Sequence, residues 1–390
     1  MPEDSDTEEK PASIEFDFDS FKDKNYLTHN YHPYPAKFVP QIPRKVIETL
    51  SKSKDLVLDP FCGSGTTLVE ACLTDRHSIG VDANPLACLI SKVKVTPLTN
   101  DQLAEAQRIS TQVSKEIATL YYAPLLGHGS RQFETPIFHN STLWFQPHVL
   151  SELAILKSCI SRVEDEDLRS FLQVAFSSII VAVSNQDSDT RYVSVRKKLR
   201  KEIVSKLFVT KVQDMIQRMK AFRNARQEVS ATVFCGDVSE SLPVVGAKVD
   251  LIVTSPPFPN TYDYYLYHKF RMIWLDMDYR DAQKKEIGSR HVHSDQKIGI
   301  EEYNRKMMDC FSQISRVLKS HGYCCIVIGD AIIRRQYIRM DQVISQIARK
   351  TGLRHIRDIH YPLRRYTRTF TPNIKTGQKS GHIMFFKKSE

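Results

Sequence analysis

Between Val253 and Asn260 the chain reads Val-Thr-Ser-Pro-Pro-Phe-Pro-Asn, which sets a hydroxyl, two consecutive prolines and an aromatic ring side by side. The apolar run 248–254 reads as a buried parallel strand, because Pro256 and Pro257 would interrupt a helix at once. Each proline fixes its own φ, and Ser255 and Pro256, which precede prolines, are held toward extended geometry. Two backbone donors are lost, so carbonyls beyond the strand end call for a donor from outside the chain. The exocyclic amine of cytosine or adenine is such a donor. Ser255, Pro256, Pro257 and Phe258 thus offer a hydroxyl, an exposed carbonyl and a ring that together could grip a flipped nucleobase, and they are the candidate catalytic set. Taken alone, Ser-Pro-Pro reads first as a stiff turn after a strand, so other segments have to change that reading.

The first is Asp59-Pro60-Phe61-Cys62-Gly63-Ser64-Gly65-Thr66-Thr67, where a short apolar strand runs into a glycine-rich turn and then a helix over 66–74. That arrangement lets backbone N–H groups approach a ligand closely. It lacks both the Gly-Lys-Ser/Thr of a phosphate-binding loop and the third glycine of the dinucleotide fingerprint, which favours a ligand bearing a carboxylate rather than a pyrophosphate. The next strand, 77–81, ends at Asp82, about 20 residues beyond the turn, where an acidic side chain can hold both ribose hydroxyls. Ahead of the turn, residues 30–40 alternate prolines with aromatics and form a rigid loop before a helix over 42–51. This loop is either a packing corner or a wall of a ligand site.

Over the whole chain, 390 residues with 41% hydrophobic and 26% charged side chains describe an ordinary soluble globular protein. A net charge of +10 points to a polyanionic partner. The 8 cysteines include no Cys-x-x-Cys pair, which excludes a zinc ribbon and leaves no metal site or disulfide framework indicated. Neither a long apolar run nor a signal peptide is present, so the expected setting is the cytoplasm, with no membrane partner.

Along the chain, residues 1–20 form an acidic stretch expected to be a disordered tail. Strand–helix units follow over 21–96. From 97 to 229 the alternation stops, with helices at 101–121, 146–162 and 168–183, a polar loop over 184–191 and a long basic helix over 195–226. Alternation resumes over 230–390, with a strand 231–235 ending at Gly236-Asp237, an aromatic helix over 262–275 and a charged loop over 278–298. A helix over 300–319, a strand 323–328, a helix over 337–350 and strands near 354–361 and 382–386 close the sheet. Basic and aromatic residues interleave from Arg364 to Phe370, as in a loop facing nucleic acid. Repeated units of this kind imply a mostly parallel α/β sheet covered on both faces.

Jointly, the glycine turn, Asp82, Asp237 and Thr254-Ser255-Pro256-Pro257-Phe258 resemble the amino-methyltransferases of DNA, which methylate exocyclic nitrogens using S-adenosylmethionine. Tyr34-Pro35-Ala36-Lys37-Phe38 looks like the motif that precedes the glycine turn in that family. The resemblance implies a Rossmann-like class I methyltransferase fold with a mostly parallel seven-stranded sheet, here carrying a large helical insertion over 97–229. It implies that Tyr34, Pro35, Ala36, Lys37, Asp59, Phe61, Gly63, Gly65, Thr66 and Ser255 contact the cofactor, Asp82 its ribose and Asp237 its adenine. Family members with Ser before Pro-Pro tend to be cytosine-N4 enzymes, so the expected activity is site-specific methylation of a flipped cytosine in duplex DNA. An adenine-N6 DNA enzyme is the alternative, and an RNA base N-methyltransferase the next. A cognate restriction endonuclease is the implied partner. In this chain the glycine motif comes first and the insertion falls between the second and third strands, which makes the insertion the expected recognition region.

Overall fold

The computed structural model describes residues 11–21, 23–122, 134–260, 262–290, 299–334, 336–362 and 379–389. The basic and aromatic run Arg364 to Phe370 and the acidic residues 1–10 lie outside them.

Seven strands form the main sheet: β1 (Leu56–Asp59), β2 (His77–Asp82), β3 (Ala231–Cys235), β4 (Val249–Thr254), β5 (Leu318–Gly329), β6 (Leu353–Pro362) and β7 (Ser380–Lys388). Their order is β6-β7-β5-β4-β1-β2-β3. The pairs β1/β2, β2/β3, β1/β4 and β4/β5 are parallel, and only β7 runs against its neighbours β5 and β6. The chain steps outward from β1 to β3 and then returns to β4 on the other side of β1. That reversal opens a crevice at the carboxyl ends of β1 and β4, the place where open α/β sheets bind ligands.

The central strands are apolar on both faces, as a doubly covered sheet requires. Along β5, Cys324, Ile326 and Ile328 enter one core, while Tyr323, Cys325 and Val327 enter the opposite one. The adjacent cysteines thus point to different layers. Helices α1 (Gln41–Leu50), α2 (Thr66–Leu73) and α3 (Pro85–Val95) cover the first half of the sheet. Asn84 caps α3 by accepting from Leu86 N at 3.0 Å, and Pro85 at the first helical position completes the start.

The inserted region is helical, with α4 (Asn100–Tyr122), α5 (Pro147–Ser161), α6 (Glu166–Val183) and α7 (Ile203–Ala225). Its core is continuous with that of α2 and α3, since Cys62, Leu68 and Ile90 join Val113, Phe171, Phe208 and Trp274 in one buried cluster. Beyond it lie α8 (Ile300–Val317) and α9 (Met340–Lys350).

Six local expectations change. Residues 11–20 are docked rather than loose: Ile14 is fully buried, Arg357 Nη1 donates to the Pro11 carbonyl at 2.7 Å, and Phe18 stacks on Tyr361. Phe16 and Phe18 pack on the core there, although the stretch also carries Glu15, Asp17 and Asp19. The segment 184–191 is no loop but the start of a hairpin, Gln186–Ser188 paired with Arg191–Ser194, because buried Asn185 exchanges backbone bonds with Trp144 and Val195. The long basic helix begins at Ile203, not Val195. Buried Glu152 on α5 accepts from Glu202 N (2.7 Å) and Val204 N (3.1 Å), which satisfies the helix start from a neighbouring element. The aromatic helix is split at His268 into Tyr264–Tyr267 and Lys269–Trp274, and the charged loop holds a helix, Tyr279–Lys285, capped by Asp278. Finally, α9 starts at Met340, whose N–H donates to Asp330 Oδ1 at 3.1 Å, while Gln336–Ile338 pairs with Ala331–Ile333 as a hairpin.

Candidate active site

At the crevice between β1 and β4 lies a cleft with about 1050 Å³ of empty space, open to solvent. Of the residues expected to hold a cofactor, Tyr34, Ala36, Lys37, Asp59, Phe61, Gly63, Thr66, Asp82, Asp237 and Ser255 all line it, as do Pro256, Pro257 and Phe258. Pro35 and Gly65 do not. Gly65 serves packing instead. It caps α2 at φ +77°, and a Cβ there would sit 2.9 Å from Ser91 Oγ, so it lets α2 start hard against α3. Gly65 thus has a packing role between helices.

The glycine turn is gripped from behind. Ser91 Oγ donates to the Gly63 carbonyl at 2.7 Å, and buried Lys94 donates to the Ser64 carbonyl at 2.6 Å. On the cleft side, Gly63 N donates to Asp82 Oδ2 and Asn84 N to Asp82 Oδ1, both at 2.8 Å. Burial pushes the Asp82 carboxyl up to about 6, against the pull of those two amides. Each oxygen of Asp82 has accepted one bond and keeps capacity for a hydroxyl.

Thr254 joins the two motifs. Its hydroxyl donates to Asp59 Oδ1 at 2.5 Å, tying the end of β4 to the end of β1. Burial also raises the Asp59 carboxyl to about 6, opposed by bonds from Thr254, Thr67 and Phe61 N.

The Ser-Pro-Pro loop is fixed at several points. Ser255 Oγ donates to the Val327 carbonyl on β5 at 3.0 Å, Tyr303 Oη donates to the Pro257 carbonyl at 3.0 Å, and Asn260 Nδ2 donates to the Ile332 carbonyl at 2.6 Å. A hydroxyl whose proton is committed to the sheet still presents its lone pairs to a donor in the cleft. Phe258 is half-buried and faces the cleft from the same loop.

Several cleft residues escaped the sequence reading. Tyr264 lines the cleft and stacks on Tyr34 with ring centroids 5.6 Å apart, and buried His268 stacks on the same Tyr34 at 5.0 Å from behind the cleft lining. The aromatic cluster around Tyr262–Tyr267 was the available signal for this stack. Glu286 also lines the cleft and accepts from Tyr264 N (2.8 Å) and Tyr265 N (3.1 Å). Burial raises its carboxyl to about 8 despite those two amides. Nothing in its sequence surroundings marks it.

The lining suits S-adenosylmethionine. Carboxylates of Asp59, Asp82 and Asp237 surround a space for a ligand bearing a sulfonium and an ammonium, and Asp82 stands where ribose hydroxyls would meet it. Asp237 follows the end of β3, with Oδ1 accepting from Ser239 N at 2.8 Å, and closes the far end of the cleft.

Sheet order, crevice and lining together define an S-adenosylmethionine-dependent methyltransferase of the class I fold. Residues 2–93 match the family model described as DNA methylase. The type II methyltransferase M.MvaI of Kocuria varians is 25% identical over 91% of this chain and 88% of its own length. The type II methyltransferase M.MjaII of Methanocaldococcus jannaschii is 23% identical over 90% of this chain and 79% of its own. In sequence the chain is thus similar to S-adenosylmethionine-dependent DNA amino-methyltransferases. No helix among the described residues is long and apolar enough to cross a membrane.

Proposed function

We propose that the protein is a site-specific DNA methyltransferase acting on the N4 amine of a cytosine flipped from the duplex. The observation that carries this reading is the pairing of two free acceptors at the cleft, Ser255 Oγ and the Pro256 carbonyl, with Phe258 beside them. The exocyclic amine is a poor nucleophile while its lone pair is delocalised into the ring. Acceptors placed at its two hydrogens draw the nitrogen toward tetrahedral geometry, and stacking on Phe258 fixes the ring. S-adenosylmethionine, when bound, would supply the electrophilic methyl and leave as the neutral thioether, while the methylated amine would release one proton to solvent. Asp59, Asp82 and Asp237 hold the donor in line, so the protein contributes mainly positioning and preorganised electrostatics. Extruding the base costs a few kcal/mol, which phosphate contacts offset.

Serine before Pro-Pro supports cytosine over adenine. A hydroxyl is a smaller acceptor than the Asp or Asn side chain usual in adenine-N6 enzymes, and it is held here by Val327. We assign 21–96 and 230–390 to the catalytic domain and 97–229 to recognition. Support comes from the exposed basic run Arg191, Arg196, Lys198, Arg200 and Lys201, which follows a hairpin whose Tyr192 stacks on Phe270 just beyond the catalytic loop. Much of the basic charge on α7, by contrast, is spent inside the protein: Lys211 and Arg218 bond the carbonyls of Asn30, Asn25 and Leu27. The type II designation of M.MvaI and M.MjaII favours a cognate restriction endonuclease as partner.

The test is to express the protein, digest cellular DNA to nucleosides and measure methylated bases by mass spectrometry. N4-methylcytosine is expected; N6-methyladenine would move the assignment to the other base, and the absence of both would sink it. In vitro, Ser255→Ala and Phe258→Ala are expected to abolish transfer, Phe258→Ala with cofactor binding retained.

A further inference from the structure

Tyr303 lies on α8, outside the glycine turn and the proline loop, and is fully buried. Its hydroxyl donates to the Pro257 carbonyl at 3.0 Å. Burial holds the phenol far above its ordinary pKa, so it remains a donor throughout the working range. The ring is wedged against the same loop: a Cβ on Gly288 would lie 3.1 Å from both Pro259 Cα and Tyr303 Cδ2. Gly288 in turn accepts from Asn260 N at 2.8 Å, so α8, the 286–288 strap and the proline loop are locked as one unit.

This contact selects which carbonyl faces the substrate. With Pro257 O committed to Tyr303, one peptide plane of the loop is turned toward α8. The φ of Pro256 and of Pro257 is locked by its ring, so little freedom is left to the neighbouring plane, which carries the Pro256 carbonyl. Among the described residues, no donor reaches Pro256 O.

We propose that Tyr303 is a positioning residue for methyl transfer: by holding the Pro257 carbonyl it aims the Pro256 carbonyl and Ser255 at the target amine. This rests on the assignment of residues 255–258 as the base pocket.

Tyr303→Phe keeps the ring and removes the donor. Cofactor and DNA affinities are expected to stay within about twofold of the parent, while the single-turnover rate of methyl transfer falls about tenfold or more, as loss of alignment in a positioned reaction does. A purely structural role would lower the thermal midpoint and leave the single-turnover rate of the folded enzyme unchanged; that result overturns the proposal. If Tyr303→Phe fails to bind cofactor because it does not fold, Asn260→Gly takes its place. It preserves the left-handed φ of +56° and removes the Nδ2 bond that pins the same loop. The same rate-specific loss is expected, and a parent rate overturns the proposal. Ser255→Ala and Phe258→Ala run alongside separate the two readings. If they also retain the parent rate, the base pocket is elsewhere. If they lose it while Tyr303→Phe does not, only the Tyr303 assignment falls.

Discussion

Thr254 Oγ1 and Asp59 Oδ1 lie 2.5 Å apart, and both residues are buried. Through this bond the ends of β1 and β4, already paired along the sheet, are tied to each other at the cleft, although 195 positions separate them in the chain.

Thr254→Val keeps the shape and removes the donor. Leaving one oxygen of a buried carboxylate short of a partner costs about 1–3 kcal/mol. The expected outcome is a lower urea midpoint with unchanged slope, together with an Asp59 carboxyl that titrates higher than in the parent. Carboxyl titration followed by NMR would check the second point; an unchanged Asp59 would mean that Thr254 does not support its charge.

Cofactor affinity should weaken as pH falls through about 6, because Asp82 must be ionised to accept two ribose hydroxyls and burial has raised it to about 6. Folding stability without cofactor has the opposite sign. Asp59 and Asp82 keep their protons in the folded state at pH values where the unfolded chain has lost them. Their contribution therefore grows as pH drops from about 6 toward about 4, the ordinary carboxylate value. Calorimetric titration of cofactor from pH 5 to 8 checks the first claim. Asp82→Asn should bind about tenfold or more weakly and lose the inflection near pH 6; if the inflection stays, another group controls binding.

Gly65→Ala combines a left-handed φ with a Cβ at 2.9–3.0 Å from Ser91, whereas Gly246→Ala has φ +74° and open space around it. The second should cost only the backbone term of about 1–2 kcal/mol, and the first clearly more. Comparing chemical denaturation midpoints tests this, and equal losses would contradict the packing role given to Gly65.

Replacing Arg196, Lys198 and Arg200 by Ala should leave cofactor binding intact and reduce DNA affinity. The slope of log affinity against log salt should flatten by about 0.9 for each phosphate no longer neutralised. An unchanged slope would place the DNA elsewhere.

How much of this was legible beforehand varies by feature. The strand–turn–helix at Asp59–Thr67, the strand ends at Asp82 and Asp237, and the proline loop were readable because each depends on local rules: apolar strands, glycine at left-handed positions, proline geometry. The boundary of α7 was not, because a buried Glu152 from another helix decides where it starts. Gly65 was given a ligand contact on motif grounds, and only the approach of Ser91 shows what it is for.

By itself, the sequence determined the class of fold and the order of the motifs, since these follow from short-range pattern and composition, and the resemblance carried by those motifs implied the cofactor. Tertiary structure alone decided that the Pro257 carbonyl is taken up by Tyr303 and that Lys211 and Arg218 are used internally. It also assembled the aromatic stack of Tyr34, Tyr264 and His268. Those properties arise from contacts between residues far apart in the chain, where burial and hydrogen-bond geometry rather than local preference set the outcome.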